Sequence, residues 1–251
     1  VAGISDFPKM LTGALLFLVV ISGCASPGQG RNHEIKPLKV SELPPGNGWW
    51  AARYRFHWPP DTKPVWYMDL YLAHQVILPR LEEYKSEIPL WRFHRRAARD
   101  GGGRQFSFIF YSSPQTARRI FDELKMDPLV HNLKSAEVIE QEVYDDPAKL
   151  ELPNIEDMGD KNWPAPIQKS WPYYIMGASQ MWLNLIVEIA AENMTDEPPS
   201  SMAEIEQFYQ NVDEILTQLW QKEGRHAFMH HLNALFEYEP LIYWERRYMT
   251  F

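Results

Sequence analysis

Cysteine is almost absent: Cys24 is the sole one among 251 residues. One thiol cannot form an intrachain disulfide, a Cys-x-x-Cys redox pair or a cysteine-based zinc site. Positive charge is also short. The chain has 25 Lys and Arg against 33 Asp and Glu, a formal net charge of −8 and a pI near 5.5. That balance repels a phosphate backbone and excludes bulk nucleic-acid binding. Long apolar runs are missing as well. Leu11 to Ile21 is largely apolar, yet it falls short of the roughly 20 residues that a spanning helix needs. Catalytic signatures are missing too. The chain contains no Gly-x-Ser-x-Gly elbow, no phosphate-cradling glycine loop and no His-Glu-x-x-His helix. Gly101-Gly102-Gly103 lacks the strand-to-helix context and the Lys that a phosphate loop requires.

What is present begins at the N-terminus. Lys9 precedes the apolar stretch Leu11 to Ile21, and the small residues Ser22 and Gly23 lead directly into Cys24. An apolar run of this length suits the core of a secretory signal. The order apolar stretch, small residues, cysteine resembles the lipobox of bacterial lipoproteins. The resemblance implies removal of residues 1–23 as a signal peptide and acylation of Cys24 by diacylglycerol and palmitate-type chains. One acyl chain anchors only marginally, and two or three anchor stably. Ala25 follows the cysteine. In Gram-negative lipoproteins an Asp at that place commonly retains the protein in the inner membrane. The resemblance therefore implies an outer-membrane anchor at the periplasmic face. Residues 24–48, rich in Pro, Gly and Ser, read as a flexible tether.

From Trp49 onward the pattern becomes periodic. Ala52 to Trp58 alternates, with Tyr54, Phe56 and Trp58 opposed to Arg53, Arg55 and His57, which predicts a strand. Asp61 or Thr62 is expected to cap a helix to about Lys85, with Trp66, Leu70, Ala73, Ile77 and Leu81 on one face and a kink at Pro79. A strand over Val65 to Leu72 is the alternative. Leu90 to Ala97 and Gln105 to Ser112 alternate on either side of the glycine turn and predict a hairpin, with Phe106, Phe108 and Phe110 inward and Ser107, Ile109 and Tyr111 outward. Pro114 opens a helix with the stripe Ala117, Ile120, Phe121 and Leu124, and Glu137 to Tyr144 is a fourth strand. The order βαββαβ predicts an α+β fold, a ferredoxin-like sandwich over residues 49–150.

Residues 151–251 are expected to form a long loop plus a helical region packed on that sandwich. Asp145 to Pro172 reads as a proline-rich connection. Tyr173 to Glu192 reads as a buried helix. A further helix over Met202 to Lys222 is capped by Ser200 or Ser201, with Phe208, Val212, Ile215, Leu216 and Leu219 as its stripe. A last helix covers Arg225 to Phe236.

Three constellations are chemically suggestive. The sandwich would place Arg53, Arg55, His57, Arg92, His94 and Arg96 on its helix-free face, where Arg forks suit carboxylates and phosphates. Such a face would bind an anionic glycan, a lipid headgroup or an acidic peptide. The competing reading is internal neutralisation by Glu140, Glu142 and acidic residues of the C-terminal helices. His226 and His230, at i and i+4 with His231 adjacent and Glu223 one turn earlier, could share a metal; the competing reading is a surface histidine cluster. The prolines around Trp163 and Trp171-Pro172-Tyr173-Tyr174 form a partner groove, a lid, or a loop pinned to the core by its tryptophans. No pair of carboxylates stands out for glycoside hydrolysis.

The hairpin Trp91-Arg92-Phe93-His94-Arg95-Arg96, glycine turn, Phe106-Ser107-Phe108-Ile109-Phe110-Tyr111 resembles that of the small C-terminal domain of lantibiotic and thiopeptide dehydratases. The Gly-His-Leu-Arg-type second strand of that family is replaced here by Gly103-Arg104-Gln105-Phe106-Ser107. The resemblance implies only a shape, an α+β unit followed by a helical part. The function expected from these readings is a non-enzymatic, lipid-anchored binding or assembly role in the cell envelope, without a cofactor and with an envelope protein as partner. An envelope hydrolase or metal-dependent enzyme is the alternative.

Overall fold

In the computed structural model, residues 45–195 and 197–240 are described. Residues 1–44, including Cys24 and most of the expected tether, and the aromatic, basic end 241–251 lie outside the described residues.

The alternating segments become strands because one side of each is apolar. Strands β1 (Gly48–Phe56), β2 (Leu90–Ala97), β3 (Arg104–Ser112) and β4 (Ile139–Tyr144) form an antiparallel sheet in the order β2-β3-β1-β4. The fold is α+β. Trp50, Tyr54, Phe93, Phe106, Phe108 and Phe110 point to the inner face and are buried. Gly48 opens β1 because the loop after β4 crosses it closely. A Cβ there would sit 2.2 Å from a Leu150 methyl and 3.0 Å from the Leu152 carbonyl.

Helices α1 (Tyr67–Tyr71) and α2 (Leu78–Glu83) are joined without a break by a π-helical stretch, Leu72–Ile77. The expected kink at Pro79 takes this form. Proline has no N–H to give to the preceding turn, and the wider winding accommodates its ring. The start differs from expectation. Neither Asp61 nor Thr62 caps the helix, and Trp66 stands at its N-cap without a side-chain bond. Pro64 disfavours helical backbone at Lys63, and Arg99 clamps the preceding loop through the carbonyls of Trp58, Pro59 and Thr62.

Helix α3 (Pro114–Met126) buries its predicted stripe, and a short helix α4 (Pro128–Ser135), capped by Asp127, follows it. The long C-terminal helix α5 (Ala165–Asn193) begins well before Tyr173. Pro166 sits in its first turn, where the missing N–H has no intrahelical role, so the stretch expected to be loop up to Pro172 is partly helical. Helix α5 runs along the edge strand β2. Ser179 Oγ accepts from the Phe93 amide at 3.1 Å, and Trp182 packs on Phe93 and Phe106. The helix thereby covers an edge that would otherwise pair with another chain. Gln180, Asn184 and Glu188 form its exposed side. Among the described residues, no helix is long and apolar enough to cross a membrane.

Helix α6 (Met202–Glu223) starts at a capping box of Ser201 and Glu204 and packs on α1 and α5. It continues through a π-helical stretch, Gly224–His230, into α7 (His231–Leu235). Gly224 is required at that junction because a Cβ would meet the Trp220 ring at 2.8 Å.

The layers are joined by a buried ionic knot. Asp69 of α1, with 0% exposure, accepts from Arg95 Nε of β2 at 2.5 Å and from Arg104 Nη2 of β3 at 2.6 Å. Arg104 also donates twice to the Val65 carbonyl, and both guanidinium groups lie over Trp66. Burial pushes the Arg104 pKa down, and Asp69 opposes that shift. Removing one partner from a buried pair leaves an uncompensated charge. Asp69→Asn should therefore cost about 3–5 kcal/mol of unfolding free energy, read from urea unfolding followed by tryptophan fluorescence. Asp61→Asn, on an exposed loop, should leave the midpoint unchanged.

Candidate functional site

Five of the six residues singled out as an anion site, Arg53, Arg55, Arg92, His94 and Arg96, share the outer face of the sheet, and His57 follows the end of β1. Register places His94 beside Ser107 and Arg53 on the far side, and Arg96 beside Gln105 and Arg55. Most of their charge is met internally. Arg53 Nη1 donates to Asp145 at 2.5 Å, and Arg96 pairs with Asp100 at 2.5 Å. Glu140 serves both Arg55, at 3.4 Å, and His57, whose Nδ1 is 2.9 Å away. The register shifts between Arg55 and Phe56, leaving Glu140 as the extra residue of a bulge in β4. Bulges re-aim side chains, and this one turns Glu140 toward the two cations. Glu142, by contrast, lies opposite inward-facing Tyr54 and bonds Lys134 and Tyr144 instead.

Arg92 and His94 are the two members of the set with no carboxylate partner among the described residues. Arg92 lies over the Trp171 ring at 4.8 Å, and burial lowers its pKa to about 10. The His94 pKa is lowered by burial and then by Arg92 and Arg96. The part of this set without a carboxylate partner has therefore contracted from six groups to two, and the surroundings of His94 disfavour its charged form.

The outer face is not helix-free along its whole length, and Ile109 and Tyr111 do not point to solvent. Residues 150–154 and the short 3₁₀ helix Ile155–Met158 fold over that end. Trp49, Ala51, Leu90, Ile109, Tyr111 and Ile155 form a second small core. Its polar groups are satisfied locally: Trp49 Nε1 donates to the Ile155 carbonyl at 3.0 Å, and the Tyr111 hydroxyl donates to the Pro153 carbonyl at 2.7 Å. Ser107 is also buried and accepts from Gln105. The tryptophans of the proline-rich segment pin it down, with Trp163 and Trp171 5.5 Å apart and Trp171 held under Arg92.

A cleft of about 590 Å³ opens between the π-helical stretch of the first helix, α4 and the start of α6. Volumes of this order suit small ligands. Tyr71, Leu129, Met202 and Phe208 give it an apolar wall, and the Tyr209 hydroxyl stands at its polar side. Gln75 Nε2 donates to that hydroxyl at 3.0 Å, and His74 Nδ1 lies 3.1 Å from it. The i→i+5 winding presents two consecutive residues to one partner. Such π-turns are frequent at functional sites, and nothing in the periodicity of this helix announced one.

The histidines lie on the distal part of the α6–α7 run and are exposed. The rings of His226 and His230 stack with centroids 5.3 Å apart, and His231 adjoins both. Around them the large apolar side chains Trp220, Met229, Leu235, Phe236 and Tyr238 are also exposed, Leu235 at 80% and Phe236 at 67%. Leu219, expected in the buried stripe, is exposed as well, because only the N-terminal half of α6 reaches α1 and α5.

No family model, no curated protein and no solved structure matches this chain.

Burial holds the His74 pKa below its ordinary value. Between that lowered value and about 6.5 the unfolded chain binds more protons. The stability that His74 contributes is therefore complete above about pH 6.5 and is lost as pH falls through the folded-state value. The urea midpoint should drop between pH 7 and pH 5, and His74→Gln should flatten that drop.

Proposed function

We propose that this chain is a lipid-anchored protein of the bacterial envelope, held at the periplasmic face of the outer membrane through Cys24, and that its body binds an envelope protein in an assembly role. The exposed apolar arm at the end of α6 and in α7 carries this reading. A folded body seldom leaves gathered large apolar groups in water unless they meet a partner, and here Met229 and Phe236 line one cleft while Trp220 stacks on Phe228. Trp220, Met229, Phe236 and Tyr238 combine the aromatic and methionine chemistry enriched at binding surfaces. The sheet-face cations, being mostly paired internally, support a scaffold more than an open anion trap, and the anion-binding reading narrows to Arg92 and His94. The βαββαβ order with β3 and β1 at the centre supports a ferredoxin-like reading of residues 49–150, and the helical remainder supplies the arm.

The anchor and the arm are tested separately. With Cys24→Ser, the protein should leave the membrane fraction for the soluble extract; equal retention would remove the lipid from the proposal. With Leu235→Glu and Phe236→Glu combined, the protein should stay folded and membrane-bound but lose its co-purifying envelope partner after in-cell crosslinking. An unchanged set of crosslinked proteins would remove the arm.

A further inference from the structure

We propose that His226, His230 and His231 form a three-imidazole site for a borderline divalent transition cation such as Zn²⁺, Co²⁺ or Ni²⁺. The i, i+4 spacing alone offers two ligands. In an α-helix, residue i+5 lies about 140° round the axis from residue i, which would turn His231 away. The π-helical winding of Gly224–His230 changes this. With i→i+5 hydrogen bonding, positions i+4 and i+5 both lie over position i. The three ring centroids accordingly form a nearly equilateral triangle with sides of 5.3, 5.4 and 5.6 Å.

That triangle has the size a metal requires. With a metal–nitrogen distance of about 2.0–2.1 Å, each ring centroid lies about 3.2 Å from the ion, so tetrahedral angles separate the centroids by about 5.2 Å. Among the described residues no three ligating side chains already converge on one point, and the His226 and His230 rings lie within 12° of parallel. Convergence in the proposed site comes from ring rotation about Cβ–Cγ. That axis passes close to the ring centre, so the centroids stay nearly fixed while the nitrogens swing, and the torsion is a soft one.

The surroundings fit the same chemistry. Glu237 and Tyr238 have φ of +56° and +58°, and this reversal folds Tyr238 back so that its hydroxyl lies 3.3 Å from His230 Nε2. A hydrogen bond to one ring nitrogen orients the other as a ligand. Three imidazole nitrogens select borderline transition cations over Mg²⁺ and Ca²⁺, which take oxygen. The exposed fourth position accepts water or a ligand from outside. The site lies on the arm assigned above to partner binding, but it stands on its own geometry.

The test is cobalt and zinc titration of the purified full chain carrying no histidine tag. The expected result is one equivalent of Co²⁺ giving the visible absorption of a tetrahedral site, displaced by Zn²⁺. His226→Ala, His230→Ala and His231→Ala should each weaken binding by at least about tenfold, the loss seen even for residues that only support a ligand. Unchanged circular dichroism would show that these exposed substitutions leave the fold intact. No uptake by the wild-type chain, or equal uptake by the triple variant, would overturn the site. Neither result bears on partner capture, which is read by crosslinking.

Discussion

One buried carboxylate ties the layers of this protein together. Asp69 enters the core on a helix that is otherwise apolar on that side, and it is tolerated there because Arg95 and Arg104 meet it from two neighbouring strands. Trp66 covers the guanidinium planes, and Asp213 of α6 lies within electrostatic reach, its own pKa raised by burial. A buried ionic group adds little net stability against an apolar alternative, yet it is unforgiving of a missing partner. The knot therefore acts as a registration device. It specifies which turn of α1 faces which residues of the hairpin, and α6 is then seated on α1. Among the described residues, the part of the chain beyond the middle of α6 projects from that seat.

Much of the sheet was readable from alternation alone. β2 has the expected limits Leu90–Ala97, and the triplet Phe106, Phe108 and Phe110 is buried as its period requires. The helix after Pro114 follows from its stripe. The departures share a cause, because each depends on a long-range partner. The early start of α5 places Pro172 inside a helix, against local propensity, in a segment that docks on the β2 edge. Ile109 and Tyr111 looked outward because nothing nearby in sequence announced that the loop beyond Leu150 would return over them. The knot was hinted at only by Arg95 falling on the same side as Trp91 and Phe93. Its partner Asp69 lies 26 residues away in sequence.

The candidate sites show the same contrast. Residue identity identified the cations of β1 and β2 as a group, but their charge state in the fold depends on Glu140, Asp145 and Asp100. One of these, Glu140, is brought into place by a bulge that has no sequence signature of its own. The histidines were recognisable as a pair from their spacing. The third joins them only because the helix loosens to a π-winding after Gly224, a glycine that the Trp220 ring requires.

A tethered body with a projecting apolar arm is a coherent design for assembly at a membrane surface. In the proposed role the Cys24 lipid restricts diffusion to two dimensions, and the knot seats the layers from which the arm continues. All of this rests on the chemistry of a single sulfur. Intact-mass and peptide mass spectrometry of the mature protein from membranes of its native host tests it most directly. The N-terminal peptide should begin at Cys24 and carry the mass of a diacylglycerol thioether with at least one further acyl chain. A mature peptide retaining residues 1–23, or beginning at Cys24 with a free thiol, would contradict it.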